Sequence, residues 1–359
     1  MSGDWAPRRD GVVPAPLHLT VDDYLQGLFV RDRGVLARAI TLIESSRPDD
    51  QQMARELVNR ALPHTGKSMR IGMTGVPGAG KSALIDSFGS FLTALSRRVA
   101  VLSIDPSSAR SGGSLLGDKT RMVRLSTDPN AFIRPSPSGL LLGGVARQTR
   151  ETMLLCEAAG YDIVLIETVG VGQSETTVAE MTDFLMVLMV AGAGDELQGI
   201  KRGLLEVADL IAITKADGDN VDRAKQAAAK YAFAMNLLAN PEQGIAPVVT
   251  CSALEGAGVD EIWKIICDRT AERERSGYLK KRRNEQNAKW MWTLVDQQIH
   301  DMLRESPEVS TAANQAVAQV LAGALSPVVA SDQIVRALFD RASPPATPQA
   351  SSRPQWRKS

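Results

Sequence analysis

Apolar residues recur along this chain in three distinct regimes. From Thr20 to Leu62 they fall at helical spacing: Leu25, Leu28 and Phe29, then Val35, Leu36, Ile40 and Ile43, then Met53, Leu57 and Leu62. A stripe of that period buries one side of a helix. Two or three helices are therefore predicted over 17–66, forming an N-terminal helical cap. Thr20-Val21-Asp22-Asp23 has the form of a helix start, a hydroxyl cap followed by an acidic first turn. Arg47-Pro48-Asp49-Asp50 interrupts the run.

Over 67–268 the period changes. Short apolar runs at Met69–Met73, Val99–Ile104, Ala131–Arg134, Ile163–Ile166, Phe184–Val190, Leu210–Ile213 and Ala246–Thr250 alternate with helical stretches. Strands that alternate with helices predict an α/β domain, a mostly parallel sheet covered by helices on both faces. Loops after the strand C-termini then converge on one edge, where open α/β sheets hold their ligands.

Over 269–340 the pattern is helical again. Glu272 to Arg304 is highly charged and then carries Trp290, Trp292, Leu294, Val295, Ile299, Met302 and Leu303 on one period, with further helices near Val317–Leu325 and Ser331–Phe339. This reads as a C-terminal helical arm whose apolar stripe needs a partner surface, in its own chain or on a second copy. The ends, 1–16 and 341–359, are rich in Pro, Ser and charge and are expected to lack a fixed structure.

Composition narrows the function classes. Lys+Arg and Asp+Glu both number 41 in the 359 residues, so the net charge is zero. No global basic field points to nucleic acid or to an anionic membrane. Cys156, Cys251 and Cys267 make no metal-ligand or redox spacing; few, scattered thiols suit a reducing compartment, and the cytoplasm is expected. No apolar run reaches the length of a spanning helix, and Arg8 and Arg9 precede no apolar signal core.

Gly75-Val76-Pro77-Gly78-Ala79-Gly80-Lys81-Ser82 fits the phosphate-binding loop pattern G-x-x-x-x-G-K-[ST], between an apolar strand and the helix start Ala83-Leu84-Ile85. Glycines let successive N–H groups turn inward around a triphosphate. Lys81 can reach the β and γ oxygens, and the Ser82 hydroxyl can ligate Mg²⁺. The helix N-terminus adds further N–H donors and a partial positive charge. Position 76 is Val, so the chain lacks the second lysine carried there by a subclass of related ATPases.

Two further strands end in acids. Ile163-Val164-Leu165-Ile166-Glu167-Thr168-Val169-Gly170 places Glu167 where phosphate-loop proteins keep a carboxylate beside Mg²⁺, and Gly170 where an N–H can approach a γ-phosphate. Val101-Leu102-Ser103-Ile104-Asp105 ends on the same edge, followed by a Gly- and Ser-rich loop running to Gly117-Asp118-Lys119. Asp105 and Asp118 are second candidates for the metal or its waters, and such a loop can close over a nucleotide. Thr214-Lys215-Ala216-Asp217 follows the strand Leu210–Ile213. An Asp in that pattern accepts bonds from the N1 and N2 donors of guanine, which adenine does not supply. Cys251-Ser252-Ala253-Leu254 follows the next strand and suits a loop whose N–H groups contact guanine O6.

The phosphate loop, Asp105-Pro106-Ser107-Ser108, Ile166-Glu167-Thr168-Val169-Gly170-Val171-Gly172-Gln173-Ser174-Glu175 and Gly194-Asp195-Glu196-Leu197-Gln198-Gly199-Ile200-Lys201 together resemble the MeaB/ArgK-type GTPases, metallochaperones of adenosylcobalamin-dependent methylmalonyl-CoA mutase and its relatives. The resemblance covers about residues 20–335. It implies a P-loop NTPase of the SIMIBI class, working as a homodimer through its C-terminal arm. It implies GTP hydrolysis with Mg²⁺, binding to an acyl-CoA mutase that holds the adenosylcobalamin, gating of cofactor loading and reactivation, and an adenosyltransferase as a further partner. Carried over by position, Gly75 to Ala83 hold the phosphates, and Ser82, Asp105, Asp118 and Glu167 surround the metal. Thr214, Lys215, Asp217 and Ser252 to Leu254 hold the base. Asp195, Glu196, Gln198 and Lys201 form a switch segment that couples the partner to hydrolysis. Gln173 lies near the water-positioning place by sequence, and Lys81, Glu167, Gln173 and Lys201 make up the expected catalytic set. Three rivals stand beside this reading, one of them a scaffold whose nucleotide site only stabilises the fold. A nickel-delivery GTPase needs His or Cys clusters, whereas His18, His64 and His300 are far apart. An ATP-dependent kinase or transport ATPase would prefer ATP over GDP and GTP.

Overall fold

The computed structural model describes residues 19–104, 122–135, 142–168, 174–192, 202–237 and 244–342. The chain divides into two compact units, Met1–Arg283 and Asn284–Ser359. The first opens with helices α1 (Val21–Phe29), α2 (Arg33–Glu44) and α3 (Pro48–Ala61). Their starts are written locally. Thr20 and Asp23 form a reciprocal capping box at α1, and the Asp32 carboxylate accepts from the Gly34 and Val35 N–H groups at α2. The proline that interrupts the apolar run stands at the first position of α3, where its missing N–H costs nothing.

Seven strands then alternate with helices: β1 (Met69–Gly75), α4 (Lys81–Ala94), β2 (Val99–Ile104), α5 (Val123–Thr127), β3 (Ala131–Arg134), α6 (Leu142–Ala158), β4 (Ile163–Thr168), α7 (Ser174–Ala179), β5 (Phe184–Val190), α8 (Arg202–Glu206), β6 (Leu210–Thr214), α9 (Val221–Leu237), β7 (Val248–Thr250) and α10 (Val259–Arg275). They form one sheet in the order β3-β2-β4-β1-β5-β6-β7 with every described pairing parallel. The last strand is shorter than the sequence predicts. Its ladder with β6 begins at Val248 opposite Ile211, because Pro247 has no N–H to donate.

The strands read as continuous apolar runs because both faces are covered. Along β4 and β5, Val164, Ile166, Leu185 and Val187 point into a core shared with α1, α2, α3, α6 and α9. The alternate residues Ile163, Leu165, Phe184 and Met186 point into a second core with α4, α5 and α10. Parallel strands put all their C-terminal ends on one edge. With β1 central, the loop after it lies between the ends of β4 and β5, where Met73 pairs with Glu167 and Gly75 with Leu188.

The opposite edge is closed by buried ion pairs that the apolar pattern does not announce. Asp183 accepts from the Arg70 N–H at 2.9 Å and from Arg283 Nη2 at 2.6 Å. Glu157 pairs with Arg70 at 2.6 Å, and Asp209 with Arg273. The carboxylates supply acceptors where the first strand N–H groups lack a ladder partner. Arg283 lies on α11 (Tyr278–Glu305). Arg283→Met should lower unfolding stability by about 3 kcal/mol, since it strands a carboxylate only 2 % exposed while the Arg70 N–H still holds one oxygen. Urea denaturation checks this; an unchanged midpoint would show the pair to be stability-neutral.

The second unit holds the rest of α11, then α12 (Pro307–Leu321) and α13 (Pro327–Ala342). The helix predicted near Val317–Leu325 instead starts at Pro307, capped by Ser306, and stops before Gly323 at φ +68°. Large apolar side chains lie open on all three helices: Trp292 is 62 % exposed, Leu321 83 % and Val328 72 %. No helix among the described residues is long and apolar enough to cross a membrane.

Candidate functional site

The loop between β1 and α4 has a conformation that only its own residue types adopt. Gly75 has φ +153°, and a Cβ there would lie 2.1 Å from the Leu188 carbonyl oxygen, so β1 and β5 can meet at this point only over a glycine. Gly80, at φ +78°, is the left-handed residue that opens α4. The helix N-terminus, with its unpaired N–H groups and partial positive charge, therefore faces the loop. Lys81, 8 % exposed, donates from Nζ to Gly75 O at 3.0 Å and to Val76 O at 3.2 Å. Its ammonium is thus held over the loop. Val76 and Pro77 bridge the glycines, and Ala79 is buried.

Beside the loop, the Ser82 hydroxyl donates to Glu167 Oε1 at 2.9 Å. Ser82 sits in the first turn of α4 and Glu167 near the end of β4, so the central position of β1 brings them together. A hydroxyl and a carboxylate oxygen side by side next to a phosphate loop are the hard oxygen ligands that Mg²⁺ takes, directly or through its waters. One residue further, Thr168 Oγ1 donates to Thr74 Oγ1 at 2.8 Å, with both side chains fully buried. That bond ties the strand leading into the phosphate loop to the strand leading towards Gly170.

The third component comes from β6 and β7. Lys215 has φ +58°, an unusual value for a residue with a side chain, and its carbonyl accepts from Asn220 Nδ2 at 2.7 Å. A left-handed non-glycine residue costs on the order of 1 kcal/mol and persists where its surroundings fix it. The Asp217 carboxylate accepts from the Ser252 hydroxyl at 2.6 Å, and Ser252 Oγ in turn accepts from the Glu255 N–H. The two loops are also joined through the main chain, Ala216 N–H to Cys251 O at 3.0 Å. Cys251 itself is inert packing: burial pushes its thiol up to about 12. Thr214 does something the pattern does not reveal. Its hydroxyl lies 2.7 Å from Ala79 O and 3.0 Å from Met189 O, so it fastens the end of β6 to the phosphate loop.

These parts share one space. A pocket of about 480 Å³ is lined by Ala79, Gly80 and Ala83 on one side and by Thr214, Lys215, Asp217, Ala253 and Leu254 on the other. The residues read from sequence as phosphate-side and base-side therefore line one space. Asp86 and Arg124 complete its wall. Sequence reasoning missed both. The available signal was Asp86 itself, a charged residue flanked by Leu84, Ile85 and Phe88 on a buried helix. Asp105, Asp118, Gly170, Gln173, Asp195, Glu196, Gln198 and Lys201 lie outside the described residues.

Comparison with known proteins adds an independent finding. Residues 36–308 match the model of the family described as methylmalonyl-CoA mutase-associated GTPase MeaB. The GTPase ArgK of Escherichia coli is 45 % identical over 309 residues, covering 86 % of this chain and 93 % of that protein. The mitochondrial methylmalonic aciduria type A homolog of Mus musculus is 44 % identical over 332 residues, covering 89 % of this chain and 80 % of that protein. A crystal structure of a LAO/AO transport system kinase superposes with a TM-score of 0.71 at 37 % identity, covering 89 % of this chain and 97 % of that one.

Proposed function

The chain belongs to the MeaB family of mutase-associated P-loop GTPases, and from that premise we propose that it is a GTP-hydrolysing chaperone of an adenosylcobalamin-dependent acyl-CoA mutase, gating cofactor loading, protection and reactivation. The observation that carries the guanine-nucleotide part is the single pocket shared by the phosphate loop and the Lys215–Asp217 loop. The mutase part rests on family membership.

Within that reading each described residue has a task. Lys81 and the α4 N-terminus stabilise the negative charge of the β- and γ-phosphates. Ser82 and Glu167, with Asp105 and Asp118, would hold Mg²⁺, which would supply charge neutralisation at the phosphates. Asp217 accepts from guanine N1–H and the N2 amine, Lys215 packs its stem along the base, and Ser252 keeps the carboxylate aimed. Gln173 is the proposed water-positioning residue and Gly170 a γ-phosphate donor. The segment holding Asp195, Glu196, Gln198 and Lys201 is the proposed switch through which the mutase completes the site.

Dimerisation through the C-terminal helices would cover Trp292, Leu321 and Val328, which the chain leaves open. The proposed compartment is the cytoplasm, in keeping with cysteines that form no disulfide. An adenosyltransferase that supplies the cofactor is a second proposed partner.

The gating proposal predicts slow hydrolysis by the isolated protein and a rise of about tenfold or more on adding the mutase, a barrier change of only ~1.4 kcal/mol. Steady-state phosphate release with and without the mutase measures it. Equal rates would overturn the coupling while leaving the nucleotide site intact.

A further inference from the structure

We infer that Arg124 is a nucleotide-binding residue that grips the guanosine half of the ligand; this deepens the guanine-nucleotide reading above and rests on it. Arg124 stands on α5, far in sequence from the phosphate loop and from the Lys215–Asp217 loop, yet it lines the same 480 Å³ pocket as Lys215, Asp217 and Leu254. Its guanidinium is aimed by one nitrogen only. Nε donates to Asp86 Oδ2 at 3.1 Å, and the other Asp86 oxygen accepts from the Leu125 N–H at 2.9 Å. Both Nη nitrogens are without a hydrogen-bond partner among the described residues.

The Arg124 side chain is 59 % exposed while its Asp86 partner is 11 % exposed, so the cation's end of the pair stands in water and its carboxylate end does not. α5 is also held without the arginine, by the Leu125 N–H bond to Asp86 and by the burial of the Leu125 side chain. The Nε bond anchors the guanidinium at one nitrogen and leaves a planar cation beside the pocket that it lines. Such a group stacks on an electron-rich purine and donates to ribose oxygens. Lys81, Ser82 and Glu167 do not line this pocket. Arg124 therefore faces the nucleoside rather than the terminal phosphates.

The test is Arg124→Met, which keeps the apolar stem and removes the cation. Titration with fluorescent GDP and with a nonhydrolysable GTP analogue should show about a tenfold loss of affinity, equal for both, as expected for losing one stacking partner of a base. Preference for guanosine over xanthosine nucleotides should stay as in the parent protein. KM for GTP should rise by the same factor while kcat holds, and the melting temperature of the nucleotide-free protein should not move. Parent-like affinity in the variant overturns the inference. So does a loss much larger for the triphosphate than for the diphosphate, which would assign Arg124 to the phosphates. So does a fall in kcat together with the melting temperature, which would make it structural. If the parent protein bound neither nucleotide, the underlying reading would fall as well, and that result is distinct from the other three.

Discussion

Replacing Lys81 by alanine should lower kcat for GTP hydrolysis by about 10³-fold, the scale on which loss of one preorganised electrostatic group acts. Lys81 is buried, begins α4, and is held by Gly75 O and Val76 O at 3.0 and 3.2 Å. Its charge is therefore in place before any phosphate arrives, and it costs no reorganisation when negative charge moves onto the leaving oxygen. In a water-poor site such a fixed charge acts far more strongly than it would in solvent. Arginine should not rescue it, because a planar fork cannot occupy the niche of a compact ammonium between two carbonyls. Single-turnover hydrolysis with the protein in excess over the nucleotide separates the chemical step from binding. A variant retaining more than a tenth of parental kcat would remove Lys81 from the phosphates.

The second large effect concerns the base. Asp217→Asn should weaken GTP binding by on the order of 10²–10³-fold and turn preference towards xanthosine triphosphate. In the proposed complex the carboxylate accepts two N–H groups from guanine. An amide in the same place accepts one and offers a donor, which faces the guanine amine badly but suits the carbonyl that xanthine carries there. Ser252 donates to Asp217 Oδ2 at 2.6 Å, and the left-handed turn at Lys215 lies in the loop that carries Asp217. Competition binding with GTP, XTP and ATP reads the result. A parent protein that preferred ATP, or a variant indifferent between GTP and XTP, would overturn the base assignment.

The sequence made the frame of this site legible because its rules are local. Each strand is an apolar run flanked by turn residues, and Gly75 to Ser82 encode a loop that little else forms. The Ser82–Glu167 contact could be expected as well, since one residue follows the loop lysine and the other ends a strand. What stayed hidden depends on strand order and on distant partners. Nothing near Thr214 indicates that its hydroxyl binds Ala79 O and Met189 O, because that follows from β6 lying beside β5. Arg124 and Asp86 are 38 residues apart and carry no motif. The pairs Arg283–Asp183 and Arg273–Asp209 were invisible for the same reason: each arginine sits in a run of surface charge and meets its carboxylate only through the fold.

The bound nucleotide is proposed to set the surface offered to the mutase, and calorimetric titration of the mutase into this protein reads that dependence. The titration is run once with GDP and once with a nonhydrolysable GTP analogue, both with Mg²⁺. The prediction is affinities that differ by about tenfold or more, a coupling free energy of ~1.4 kcal/mol or larger between the two sites. Identical affinities in the two nucleotide states would contradict it.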